Sequence, residues 1–254
     1  MIDSPTLHVS LNARDRAVLT SLEQARLLTM AHVQRLHVTD GSPLSNVQRT
    51  QALLRRLHQL GLVQRVARLH GDRQVGSRGT VYGLSHLGLA VLFAPAAPPR
   101  PARRLWARRP FFHLHLLAVS DLYVALREQA AVDVLEFQPE PRCWRTFTLA
   151  GELRTQLRPD ALVRLAKGHR TNRWFVEVDR GTEGLGVIRR KCQRYLSYEH
   201  TGLEQVEHHA FPQVLWLVPS QQRAAQVKQV VDQLQPQMAP VFVVSRLQDI
   251  SDAL

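Results

Sequence analysis

Along residues 11–93 the apolar positions switch from a helical period to an alternating one. Leu11, Val18, Leu22, Leu27, Leu28 and Val33 recur at helical spacing, which predicts two helices with a break near Thr29. In GSPLSNVQRTQALLRRLHQLGLVQRV, Ser45 followed by Gln48 reads as a capping-box start and Gly61 as a stop. A third helix is therefore expected over about 45–60, with Val47, Leu53, Leu54, Leu57 and Leu60 on its apolar face. Its other face carries Gln48, Arg49, Gln51, Arg55, Arg56 and Gln59. LVQRVARL then alternates as a strand, GDRQVGSRG reads as a hairpin tip, and TVYGLS returns as a second strand. HLGLAVLF closes this part as a short helix.

The pattern stops at APAAPPRPARRLWARRP, residues 94–110, where five prolines and five arginines leave no helical or strand period. Such a stretch is a semi-extended basic connector, separating a domain of residues 1–93 from one of residues 111–254. The second begins with a helix over 111–130. Strands are expected at VDVLEFQ, CWRTFTL, DALVRLA (160–166) and RWFVEVD (173–179). A helix over about 184–199, the strand QVLWLVP, the helix SQQRAAQVKQVVDQL and the strand PVFVVS follow. Strands preceding and then alternating with helices indicate a mixed α/β sheet with helices on its faces.

Charge changes this picture. The chain holds 33 Lys and Arg against 21 Asp and Glu, a net +12. Residues 1–93 account for +6 and residues 94–110 for +5, leaving only +1 for the rest. A first part this basic is expected to meet a polyanion. No run of 18 apolar residues occurs, so no membrane span is expected. The start, MIDSPTLHVSLNARDR, has no basic segment followed by an apolar one, which points to a cytoplasmic protein. Cys143 and Cys192 fit no zinc spacing and are expected to be free thiols. Phosphate-loop and nucleophile-elbow motifs are absent. His113 and His115, two apart on a helix, make poor joint metal ligands, and His200, His208 and His209 flank an expected loop.

Two groups of residues carry candidate chemistry. On the third helix, Arg49 and Arg55 have the donors to pair with guanine, and Gln48 or Gln51 those to pair with adenine. Asn46 and the helix N-terminus suit a phosphate, and Arg65, Arg68, Arg73 and Arg78 along the hairpin suit backbone contacts. The alternative is a solvated helix face in a protein-interaction module. In the second domain, Glu177 and Asp179 are two apart on a strand and so share a face. Asp160 reaches the same sheet end if DALVRLA is the neighbouring strand. Three converging carboxylates suit Mg2+, with Lys191 on the next helix pointing back over the strand end. The alternative is ion pairing with Arg158, Arg164, Arg173 or Arg180.

The segment LLRRLHQLGLVQRV…GTVYGLSHLGLAVL resembles the winged helix-turn-helix family, which implies binding of double-stranded DNA. Pro159-Asp160 followed by Glu177-Val178-Asp179 is similar to the PD-(D/E)XK nuclease pattern, a restriction-endonuclease-like mixed α/β fold. Asp179 stands where that pattern has a lysine, and Lys191 matches the helix-borne lysine of some members. The phrase EVDRGTE followed by K-x-x-x-Y, with the upstream helix HLHLLAVSDLYVAL and the winged helix, resembles the replication-relaxation family of bacterial and plasmid proteins over roughly residues 11–245. That resemblance implies DNA association linked to plasmid replication or mobilisation. A Mg2+-dependent endonuclease acting through Asp160, Glu177, Asp179 and Lys191 is the second reading. A transcription regulator whose second domain binds a ligand or forms a homodimer is the third.

Overall fold

The computed structural model describes residues 11–68, 79–94, 110–148, 154–234 and 241–253. They fall into two units, Met1–Trp106 and Ala107–Leu254. Apart from Ala94 and Pro110, the expected linker lies outside the described residues.

In the first unit, Asn12 caps α1 (Ala13–Ala25): its side chain accepts from the Asp15 N–H at 2.8 Å while Asp15 accepts from the Asn12 N–H at 3.0 Å. The break near Thr29 is a strand, β1 (Leu27–Thr29), and Thr29 then caps α2 (Met30–His37). The third helix, α3 (Pro43–Gln59), begins two residues earlier than expected. Ser42, not Ser45, is its cap, and Pro43 sits at the first position, where its fixed φ suits a helix and its missing N–H costs nothing. Gly61 adopts φ +71°, the left-handed stop expected of it. The strands β2 (Val63–Arg68) and β3 (Thr80–Leu84) and the helix α4 (His86–Phe93) complete the unit, with an antiparallel sheet in the order β1-β3-β2.

The inward stripe of α3 is Asn46, Thr50, Leu54 and Leu57, rotated from the expected one; Val47, Leu53 and Leu60 are only half-buried. Two local hydrogen bonds let polar residues take the inner positions. Thr50 Oγ1 donates to Asn46 O at 2.7 Å, and Asn46 Nδ2 donates to Gly41 O at 3.0 Å.

The second unit is mixed α/β. Helix α5 (Pro110–Glu128) precedes β4 (Asp133–Pro139), β5 (Arg145–Phe147), β6 (Thr155–Leu157), β7 (Ala161–Lys167) and β8 (Arg170–Val178). Then come α6 (Leu185–Glu199), α7 (Leu203–His208), β9 (Gln213–Val218), α8 (Gln221–Leu234), β10 (Phe242–Arg246) and, after a short 3-10 turn, α9 (Ile250–Ala253). The five-stranded sheet runs β10-β9-β8-β7-β4; β4, β7 and β8 are antiparallel, and β9 and β10 are parallel to β8. Leu162, Phe175, Val214 and Trp216 on one face pack with Ile188, Cys192, Tyr195 and Tyr198 of α6 and Val227 and Val230 of α8. On the other face Val163, Leu165, Trp174 and Val176 meet Leu122 and Leu126 of α5 and Ile250.

Two expectations fail locally. CWRTFTL does not join the main sheet; its central residues pair with Thr155–Leu157 in a separate two-stranded sheet. There Phe147 stacks against Tyr198 of α6, ring centroids 5.0 Å apart, so the hairpin covers that helix instead of extending the sheet. The loop expected before His208 and His209 is the helix α7.

Candidate functional site

The end of β8 gathers the charged residues. Asp160 lies one position before β7, its N–H donating to Val176 O at 2.9 Å. Its side chain turns across the ladder: Oδ2 accepts from the Val178 N–H at 2.7 Å and Oδ1 meets His115 Nε2 of α5 at 2.9 Å. Burial works to lower the His115 pKa, yet the hydrogen bond and charge of Asp160 outweigh it and hold the imidazole above its ordinary value.

Glu177 pairs in register with Trp216 of β9 and is 2% exposed. Both its oxygens are engaged from α6, by Lys191 Nζ at 3.0 Å and Tyr195 OH at 2.7 Å. Lys191 and Tyr195 are four apart, one turn of the helix, which is why both reach the same carboxylate. Burial and the nearby charge of Asp160 push the Glu177 carboxyl up to about 7 against the pull of Lys191 and Tyr195. Burial opposes the charge of Lys191, but Glu177, Asp160 and Glu183 together raise its pKa above the ordinary lysine value. Glu183 is a direct partner, with Lys191 Nζ 3.1 Å from its carboxylate.

Asp179 goes elsewhere. It follows the last residue of β8, and its N–H extends the parallel ladder to Leu217 O at 2.9 Å. One carboxylate oxygen accepts from the Gly181 N–H at 2.8 Å, and the other pairs with Arg223 Nε of α8. Arg223 also donates to the Glu183 carbonyl at 2.6 Å. Asp160 and Glu177 are thus brought together with Lys191, and Asp179 is held apart by Arg223. Among the described residues no three His, Cys, Asp or Glu side chains are grouped as ligands for a metal ion. The third carboxylate beside Lys191 is Glu183, not Asp179.

Sequence reasoning missed His115 as an Asp160 partner, Glu183, Tyr195 as a Glu177 partner, and Arg223. It also missed Glu204 of α7, 2% exposed, which binds Arg145 Nε at 2.6 Å, Arg173 Nη1 at 3.2 Å and Tyr198 OH at 3.0 Å. Of the four arginines weighed as ion-pair partners for the strand-end acids, Arg173 serves Glu204, Arg164 lies 3.7 Å from Glu136, and Arg158 donates to Gln156. Cys143 and Cys192 are buried free thiols. Cys143 Sγ donates to Pro159 O at 3.0 Å, beside Asp160.

On α3, Gln48, Gln51 and Arg55 stand exposed, as does Arg65 on β2. Arg49 instead pairs with Asp40 at 3.0 Å, and Arg14 reaches the same carboxylate at 3.3 Å. The hydrogen bond from Arg49 leads the causes that lower the Asp40 carboxyl to about 2. Arg56 pairs with the fully buried Asp15 of α1. Asn46 is buried and spends its amide on Gly41 O, so it faces the loop before α3 and not solvent. The Arg68 side chain, Arg73 and Arg78 lie outside the described residues. Leu44, in the first turn of α3, is 69% exposed and was not singled out from the sequence. A leucine there breaks no periodicity, so only its exposure reveals it.

Comparison with known proteins gives one match: the model of a family described as replication-relaxation covers residues 19–214. No curated protein and no solved structure matches the chain. Among the described residues no helix is long and apolar enough to cross a membrane.

Proposed function

The chain belongs to the replication-relaxation family, and from that premise we propose that it is a DNA-binding accessory protein of plasmid or mobile-element replication or mobilisation. In this reading residues 1–93 are a winged helix-turn-helix that docks α3 in the major groove of duplex DNA. Residues 111–254 are a PD-(D/E)XK nuclease-like unit. The observation that carries the reading is α3 itself. It runs for 17 residues without an acid, shows Gln48, Gln51 and Arg55 to solvent, and is followed by the β2–β3 hairpin. A helix that enters the major groove needs polar and basic side chains free to meet base edges, and an acid there would repel phosphate.

The order helix α5, antiparallel β4, β7 and β8, helix α6 and parallel β9 supports the nuclease-like assignment of the second unit. That unit is assigned a scaffold and not a reaction, because protein donors already engage Asp160, Glu177 and Asp179.

The test is duplex binding measured across a salt series. Binding is expected to weaken steeply with salt as phosphate contacts release counterions. Gln51→Ala with Arg55→Ala is expected to lower affinity at least tenfold, about 1–3 kcal/mol per lost base contact. Affinity unchanged in that double variant, at moderate salt, sinks the assignment of α3.

A further inference from the structure

We infer that the ammonium group of Lys191 occupies the place of a divalent cation among the carboxylates at the end of β8, so that the folded site is neutralised from within and closed to Mg2+. The inference rests on reading the second unit as nuclease-like, since it concerns the cation such a site would hold. It begins from the oxygens. Asp160 spends one on His115 and the other on the Val178 N–H. Glu177 spends one on Tyr195 and the other on Lys191. Glu183 spends Oε1 on a hydrogen bond from Lys191, and its buried Oε2, without a hydrogen-bond partner among the described residues, lies 3.1 Å from the same ammonium.

A hydrated Mg2+ binds through one or two carboxylates and requires oxygens in near-octahedral array at about 2.0–2.1 Å. An ammonium serves the same acids at hydrogen-bond distance with up to three donors and needs no such array. Here it lies 3.0 Å from Glu177 and 3.1 Å from Glu183, and 5.8 Å from the centre of the Trp216 ring, whose face favours a cation. The Glu177 side chain is 3% exposed and that of Lys191 33%. A carboxylate so enclosed requires a positive partner, and α6 delivers one from the turn before Tyr195.

The position is therefore occupied by a tethered charge that no chelator removes. Asp179 cannot substitute as a ligand while Arg223 holds it, so a site opened by removing Lys191 would use Glu177 and Glu183.

Mn2+ alone, followed by electron paramagnetic resonance on the full chain, tests this without any readout of cleavage. The unmutated protein is expected to show no saturable Mn2+ site up to millimolar concentration. Lys191→Ala is expected to gain one site per chain and to have its Tm raised by Mn2+, and Glu177→Gln added to it is expected to abolish both. If Lys191→Ala does not fold, Lys191→Gln, which keeps a donor for Glu177 but no charge, takes its place. Saturable, Glu177-dependent Mn2+ uptake by the unmutated protein overturns the inference. A folded Lys191 variant that takes up no Mn2+ overturns it equally. Failure of the DNA-binding reading would appear separately, as absent duplex binding with the Mn2+ results intact.

Discussion

The surface of α3 and the end of β8 handle charge in opposite ways. On α3 the candidate contacts Gln48, Gln51 and Arg55 are presented to water. At the end of β8, Asp160, Glu177 and Asp179 are 8%, 2% and 5% exposed; Asp160 meets the His115 imidazole, Glu177 the Lys191 ammonium and Asp179 the Arg223 guanidinium. Exposed charge costs little to hold, is screened by salt and stays available to a ligand. Buried charge has lost its water and depends on each partner in turn. Substitutions at Gln48, Gln51 and Arg55 are therefore expected to change binding and leave stability alone, and substitutions at the strand end to do the reverse.

The largest effect tests the buried side. The Asp179 side chain is fully buried and its cationic partner is Arg223, itself 12% exposed. Arg223→Ala leaves that carboxylate without its charge partner and is expected to lower the free energy of unfolding by about 3–5 kcal/mol. Arg55→Ala, on the exposed side, is expected to shift it by less than about 0.5 kcal/mol. Urea denaturation of the two variants side by side breaks the comparison if the losses are alike.

A pH series sharpens the same contrast. The folded Glu177 carboxyl is raised to about 7 from an ordinary 4.5, chiefly by burial and then by Asp160. Its contribution to stability is therefore complete below the unfolded value and is lost as pH rises from 4.5 through 7. Glu177→Gln has no such proton to lose. Relative to that variant the unmutated protein is expected to lose stability across this window and to level off above it. His115, also raised, contributes in the same direction as pH rises above its ordinary 6.5 but is present in both proteins. A difference between the two that stays flat from pH 4.5 to 7 would show Glu177 ionising at an ordinary value, and the burial argument would fall.

What the sequence discloses follows the same division. Periodicity located α6 to within a residue at its start, and the spacing of Lys191 and Tyr195 already aligned them on one face. Gly61 was legible as a stop because only a left-handed residue ends a helix that way. Partners contributed by distant segments were not legible. His115 meets Asp160 across 45 residues, Arg223 meets Asp179 across 44, and Arg145 meets Glu204 across 59. Alternation says which face of a strand a carboxylate takes, and not which helix the rest of the chain lays over it. Arg49 shows the same limit at short range: it has the spacing of a base contact, and Asp40 in the preceding loop claims it.

The smallest effect concerns Leu44, which shares with Gln48, Gln51 and Arg55 a stripe at helical spacing on α3. It lies in the first turn, the end of a recognition helix that reaches base edges, and that turn holds no acid. A large apolar side chain 69% exposed there is suited to the methyl group of a thymine, the one apolar feature of the major-groove code. Replacing single thymines by deoxyuridine removes that methyl and nothing else. At one position of a preferred duplex the exchange is expected to weaken binding by the unmutated protein about fourfold, the worth of one buried methyl group at about 0.8 kcal/mol. Leu44→Ala is expected to bind both duplexes alike, at the weaker level. If the variant still distinguishes thymine from uracil, the methyl is read by another residue. If neither protein distinguishes them at any position, the first turn of α3 reads no thymine methyl.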